Sequence, residues 1–293
     1  MKDVLIGAAD LYEWHHIKPW ALSIKESGFT GDIWLIAYRV NPDVIATCEA
    51  NGINVYKVDH DQYLQPIRHA QQGSPTQAHN LRFFHAWELL QRLNNPYRYV
   101  IMTDVRDVVF QRNPSEWLHN REDHLQREWF VAPSESILYK DEEWGMDNMV
   151  KGHGPILYDM VAKDQLCVNV GTIAGTAKCM HSLFLMIYYM TVGRHYPADQ
   201  SAFALIVHQI KPWKTILADA KSAWAAQIGT TLDPTKAWLH SRNVDPQPKI
   251  LNGLVYSVWG KTFADTEAEM YTIVHQWDRH PELKQVITTR YGI

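Results

Sequence analysis

The chain has 293 residues, 46% hydrophobic and 20% charged, with a formal net charge of -4. That is the composition of a globular protein able to bury a sizeable core. No basic run is present, which argues against a nucleic-acid binder driven by counterion release. In chain order, "DVLIGAA" at the N-terminus has the length and apolarity of a first strand and makes a poor signal peptide. "HIKPWALSIKES" carries apolar residues at helical spacing and stops at Gly28. "GDIWLIAYRV" is a second strand. "NPDVIATCEANG" is a second helix, with Asn41 as cap, Pro42 at the first helical position and Gly52 at its end. "INVYKVD" reads as a third strand, "QAHNLRFFHAWELLQRLNN" as a long helix, and "YVIMT" as a fourth strand.

This alternation predicts an α/β fold with a doubly wound, mainly parallel sheet flanked by helices on both faces. The second half is less regular. "REWFVAPS" and "QLCVNVGTIAGT" read as strands, and "AKCMHSLFLMIYYMTVG" and "DQSAFALIVHQI" as helices. Residues 134–165 read as a long loop containing Trp144, Asp147 and His153, and 229–262 as a Pro- and Gly-rich stretch with two short strands. No apolar stretch reaches the roughly 18 residues of a membrane span. The three cysteines are widely spaced, form no metal motif and suggest a reducing, cytoplasmic setting. No composition shift divides the chain, so one domain over 1–293 is expected. Its two halves are 1–112, ending in an acidic motif, and 113–293.

The acidic motif lies in "YRYVIMTDVRDVVFQRNP", where Asp104 and Asp107 sit between two apolar runs. Charge beside a core is costly unless it is paired or bound to a cation. Arg106 is one partner within reach and would orient the acids from inside the motif. The other reading is a hard cation, Mn²⁺ or Mg²⁺, held by carboxylate oxygens. Ligands of open α/β sheets bind beyond the carboxyl ends of the strands, where Asp10, Asp59 and Asp104 fall.

Four stretches together resemble the GT-A glycosyltransferases, in particular the metal-dependent, sugar-nucleotide-using branch around glycosyltransferase family 8. They are "GAADLYEWHHIKPWALSI", "HNLRFFHAWELL", "VIMTDVRDVVF", and "VNVGTIAGT" followed by "ADQSAF". The resemblance implies a nucleotide-sugar donor, UDP-linked, and a glycan or other hydroxyl acceptor. It implies donor contacts from Ala8, Asp10, Tyr12, Arg82, Asp104, Val105, Asn169, Gly171 and Lys261. It implies a metal site of Asp104, Asp107 and a late histidine, His275, with His240 as the other candidate. Asp199 and Gln200 take catalytic roles in this picture, and Asp147 or Asp199 would be the base if transfer inverted. Likeness to family 8 favours retention instead. Asp278 and Arg279 are expected to orient His275.

The sequence departs from the family pattern. Arg106 stands where D-x-D has its second acid, and Gly260 and Lys261 precede His275 instead of following it. A nucleotidyltransferase is the competing enzyme class. It calls for a Gly-rich basic loop after the first strand, and "GAADLYEWHH" has one Gly and no Arg. A non-catalytic sugar-binding module would use the twelve tryptophans as platforms. The acidic motif argues against it.

Overall fold

Short apolar runs alternating with capped helices build one edge of the molecule as repeated strand–helix units. The computed structural model describes residues 1–58, 76–121, 128–194, 196–259 and 267–293. Asp59, Gly260 and Lys261 lie outside the described residues. The first units are β1 (Val4–Asp10), α1 (Trp14–Glu26), β2 (Asp32–Tyr38), α2 (Pro42–Ala50), β3 (Asn54–Lys57), α3 (Thr76–Arg92) and β4 (Tyr99–Thr103). The Asn41 side chain accepts a hydrogen bond from the Asp43 amide, so α2 starts where the sequence places it. Asp10, by contrast, caps nothing: α1 is opened by a capping box between Glu13 and His16.

Strands β3, β2, β1 and β4 run parallel in that spatial order. Beyond β4 the direction reverses. β8 (Thr172–Thr176) is antiparallel to β4, and β6 (Trp129–Leu138) is antiparallel to β8. β7 (Leu166–Val168) and β9 (Lys214–Ala218) both pair with β6, completing an eight-stranded sheet among the described residues. Alternate side chains sort to opposite faces, as the two-residue period requires. Val4, Ile6, Val100 and Met102 pack with Phe83 and Leu90 of α3 and with Phe184 of α6 (Ala177–Thr191). Leu5, Leu35 and Ile101 pack with Ile17, Trp20 and Ile24 of α1 on the other face. The fold is therefore α/β, with helices on both sides of a mainly parallel sheet.

Two smaller sheets complete the chain. β5 (Val108–Phe110), β14 (Ile273–His275) and β10 (Ala225–Gln227) form one, and β11 (Lys249–Leu251), β12 (Leu254–Trp259) and β13 (Glu267–Met270) the other. The β11–β12 turn is Asn252–Gly253, both at positive φ, a pairing that suits a two-residue hairpin. α4 (Pro114–His119) and α8 (Pro281–Tyr291) pack on the outside, whereas every residue of α7 (Asp199–Leu205) is buried.

The expectation of a long loop over 134–165 is corrected. β6 runs on to Leu138, and Glu142 caps α5 (Glu143–His153) by accepting from the Trp144 and Gly145 amides. Of the two glycines that suggest a loop, Gly154 ends α5 at a φ of 87° and Gly152 serves packing. A β-carbon on Gly152 would meet the Ser201 hydroxyl at 2.6 Å. Among the described residues no helix is long and apolar enough to cross a membrane. Cys48, Cys167 and Cys179 are buried and unpaired by disulfides.

His85 of α3 is fully buried, with Nδ1 2.6 Å from the Tyr38 hydroxyl. Burial pushes its imidazole down to about 4. The unfolded chain takes up that proton from about pH 6.5, the folded protein only near pH 4. The stability it contributes is complete above pH 6.5 and lost as pH falls toward 4, a change of about 3 kcal/mol. Urea unfolding of wild type and His85→Gln at pH 7 and pH 4 should show the wild type losing about that much more than the variant.

Candidate active site

The two apolar runs around the acidic motif belong to two different sheets. β4 ends at Thr103 in the main sheet, and β5 begins at Val108 in the small one. Asp104 to Asp107 form the crossing between them, so both acids stand where two sheets part. The Asp104 amide donates to the Gly171 carbonyl at 2.7 Å, and the Gln276 amide donates to the Asp107 carbonyl at 2.7 Å. Backbone bonds thus fix both ends of the turn.

Pairing of β14 with β5 sets His275 opposite Val108, and its side chain reaches the acids. His275 is 2% exposed. Its Nε2 lies 3.3 Å from an Asp104 carboxylate oxygen and 3.7 Å from one of Asp107. One ligand atom from each of the three lies within 4.8 Å of the others, and His240 is not in the group. The orienting partner of His275 is not Asp278 or Arg279. Its Nδ1 is 2.7 Å from the Gln227 side-chain oxygen, and Gln227 in turn donates to Thr172 of the main sheet at 3.3 Å. Gln227 sits beside His275 because β10 and β14 are in parallel register there.

Arg82 is the internal partner of the acids, and this corrects the expectation for Arg106. Arg106 is exposed. Arg82, 6% exposed on α3, donates one guanidinium nitrogen to Asp104 and another to Asp199 at 2.9 Å. Local sequence favours Arg106 by proximity, but the helix–strand packing delivers Arg82 to a site where its charge is shielded from water. The electrostatics follow. Burial alone would raise the Asp104 carboxyl, but Arg82 and the His275 hydrogen bond hold it well below the usual range. Burial raises Asp107, Asp104 and Asp278 add to that, and His275 opposes it. Burial would lower His275, but Asp107 and Asp104 raise it.

Gly171 is required beside these acids. A β-carbon there would lie 2.5 Å from an Asp104 oxygen and 2.9 Å from the Asn169 side-chain oxygen. Asn169 accepts from the Gly171 amide at 2.7 Å and donates to Glu135 at 2.9 Å. Gln200 donates to the same Glu135 oxygen at 3.1 Å. Glu135 is one residue the sequence reading missed. It lies in β6 where the five residues from Ser134 to Leu138 span only the three from Leu166 to Val168 in β7, and Ser136 has a φ of 57°. Such an irregularity re-aims a side chain. Burial, with Glu142 nearby, raises the Glu135 carboxyl.

Arg82, Asp104, Asp107, Glu135, Asn169, Gly171, Asp199, Gln200 and His275 all line one cavity of about 400 Å³. Trp144, half exposed, stands at its wall, and Lys236 and Arg279 bring cations to it. Lys236 and Gln227 also went unsignalled, being single polar residues in otherwise unremarkable stretches. Asp147 is not brought in. It faces solvent on α5, ion-paired with Lys151 one helical turn away, and His153 lies off the cavity too. Val105 is 2% exposed and packed in the core, which leaves only its backbone for a ligand. Ala8, Asp10 and Tyr12 stand at the carboxyl end of β1, next to this cavity's lining and outside it. Burial, then Asp104 and Asp107, raise the Tyr12 phenol to about 12, which ties Tyr12 electrostatically to the acidic turn.

No protein-family model matches the sequence, and no curated protein matches it. Solved structures do. The galactosyltransferase LgtC, crystallised with donor and acceptor sugar analogues, matches with a TM-score of 0.56 at 15% identity, over 99% of this chain and 95% of its own. The fold is that of the GT-A glycosyltransferases. An active-site mutant of LgtC matches at 0.54 and 13% identity, over 99% of this chain and 94% of its own. WbbM, a bifunctional glycosyltransferase in its apo form, matches at 0.53 and 13%, over 99% of this chain and 52% of the larger protein. Ligands of open α/β sheets bind beyond the carboxyl ends of the strands, and the acids, Arg82 and His275 meet at that edge.

Removing Arg82 strands two acids in a shielded site. Arg82→Met should lower the urea-derived unfolding free energy by ~3–5 kcal/mol, the cost of breaking a buried pair. Adding Asp199→Asn in that background should recover part of the loss. Equal stability of wild type and Arg82→Met would show that Asp104 and Asp199 do not need the guanidinium.

Proposed function

We propose that the protein transfers a glycosyl group from a UDP-linked sugar to a glycan or other hydroxyl acceptor, with Mn²⁺ or Mg²⁺ held by Asp104, Asp107 and His275. The observation that carries this reading is the convergence of two carboxylates and one imidazole at the rim of a polar cavity. The donor set suits the ion: two hard oxygen ligands and a ring nitrogen whose opposite nitrogen is fixed by Gln227. When bound, the ion supplies charge that stabilises a departing diphosphate.

The chain's own residues do the rest. Arg82 holds Asp104 in one orientation and offsets its charge. Lys236 and Arg279 face the cavity as fixed positive charge for the phosphates. Asn169, Glu135 and Gln200 form a hydrogen-bonded set whose remaining polar atoms bind hydroxyls of the transferred sugar. Asp199 and Gln200 stand beside them at the start of α7, nearest the reacting carbon. Trp144 offers its flat face to an acceptor ring. Asp10 and Tyr12 form the base pocket. LgtC was crystallised with donor and acceptor sugar analogues, which supports a site of this kind.

Incubation with a panel of sugar nucleotides should show Mn²⁺-dependent release of nucleoside diphosphate, greatest with a uridine donor. Asp104→Asn and Asp107→Asn should each lose most of it while melting cooperatively. Independently of turnover, calorimetric titration with Mn²⁺ should show His275→Ala binding about 10-fold more weakly or worse, as disturbed ligand shells do. Undiminished transfer in excess chelator would refute the metal's role.

A further inference from the structure

Next to the acidic turn, the carboxyl ends of β1 and β2 carry a second charged pair. Arg39, the residue after β2, donates Nε to an Asp10 carboxylate oxygen at 2.8 Å and Nη2 to the other oxygen. The Asp10 side chain is 12% exposed and that of Arg39 is 24% exposed. Both neighbouring backbones are unusual. Leu11 has a φ of 57° and Arg39 a φ of 47°, and the Leu11 amide donates to the Tyr38 carbonyl at 3.1 Å. Side chains other than Gly and Asn rarely adopt such angles, and where they do the strain tends to sit at a functional edge. A partly exposed ion pair returns little stability, so pairing alone does not account for two strained residues.

Among the described residues the pair leaves chemistry unused. Nη2 keeps its second N–H, and the Asp10 oxygen it binds keeps a second lone pair. A donor and an acceptor therefore stand side by side at the sheet edge. Their order is set by the strand order, β4–β1–β2. Asp104 and Asp107 follow β4, Asp10 ends β1, and Arg39 follows β2. A nucleotide with its diphosphate at the acids extends outward over β1 and then β2. In a pyrimidine nucleotide, ring N3 lies nearer the ribose than the substituent at position 4. Asp10 thus meets N3, and Arg39 meets position 4. Uracil presents N–H at N3 and a carbonyl at position 4, matching both. Cytosine presents an acceptor at N3 and an amine at position 4, so acceptor faces acceptor and donor faces donor.

We infer that Arg39, held by its bidentate bond to Asp10, reads the 4-carbonyl of the donor's uracil and is the residue that rejects cytosine. This rests on the nucleotide-sugar reading above. It assigns Arg39 a role in specificity, with no part in the chemistry of transfer.

Calorimetry with UDP and CDP in the presence of Mn²⁺ tests it. Wild type should bind UDP at least about 10-fold tighter than CDP, since an unmatched polar contact costs about that much. Arg39→Met should bind UDP about 10-fold more weakly, with CDP changed by less than about 3-fold, so that the preference collapses. A folded Arg39→Met that keeps the full preference overturns the assignment, as does a wild type that binds UDP and CDP equally. If the variant fails to melt cooperatively, the wild type decides alone. The diphosphate of 4-thiouridine keeps N3–H but weakens the acceptor at position 4, and should bind several-fold more weakly than UDP. Affinity equal to that for UDP overturns the assignment. If wild type binds none of these nucleotides, the donor reading itself fails, and Arg39 with it.

Discussion

Six carboxyl groups line one cavity, and the mutual repulsion of four of them, Asp104, Asp107, Glu135 and Asp199, is the constraint the architecture answers; Glu142 and Asp233 accept from backbone amides. Each of the four is answered differently. Arg82 spans Asp104 and Asp199. The Asn169 and Gln200 amides both donate to Glu135. Among the described residues Asp107 has no fixed cation of this kind, and it faces His275 across 3.7 Å. The compensation is therefore uneven. Asp104 is pulled down and Asp107 pushed up, so Asp107 is the motif acid whose charge is less well compensated. A residue set built only for stability would be better served by apolar replacements, since buried ion pairs return little net free energy. Acids gathered around one cavity in this way are explained by a role at that cavity better than by stability.

Delivery of His275 to the acids depends on the small sheet. β5 starts within the acidic turn's own chain direction, and β14 arrives antiparallel to it from the far end of the sequence. β10 then lies parallel to β14 on its other side and supplies Gln227. Gln227 reaches Thr172, and Trp224 donates to the Thr172 carbonyl at 2.8 Å, so the small sheet is tied to β8 of the main one. The imidazole is thus positioned by three strands and a hydrogen-bond chain, and little freedom remains at its ring. Such preorganisation is what makes polar groups effective toward developing charge.

Much of this was legible along the chain. Capped helices and apolar runs gave the parallel half strand by strand, because those signals are local. Asp104 and Asp107 were legible because they interrupt apolar runs at a strand end, whereas Asn169, Gly171, Asp199 and Gln200 were reached only through the family resemblance; all six line the one cavity. What was not legible is long-range. Arg106 is the obvious partner by sequence, yet Arg82 is the partner in space, because it reaches Asp104 from α3. Glu135 lies where a strand continues through an irregularity that resembles a strand end. Glycines within α5 read as loop formers although Gly152 serves close packing against Ser201. Gln227 gave no signal, since its importance comes entirely from the register of β10 against β14.

The same device occurs twice along the parallel edge. An acid ends one strand, and a guanidinium from a neighbouring element clamps it: Arg82 from α3 on Asp104, and Arg39 from the end of β2 on Asp10. The clamps differ in what remains free. Arg82 is divided between two acids and shut from water, so it fixes charge and geometry. Arg39 is spent on one acid and partly open, so it still has N–H groups to offer. That difference follows from position. β4 lies at the centre of the sheet, where Arg82 reaches Asp104 and charge must be neutralised before anything binds. β2 lies one strand from the edge, where a group has to be held in place and left accessible. Strand order thus separates a central site whose charges are compensated internally from an outer pair that keeps hydrogen-bonding groups accessible.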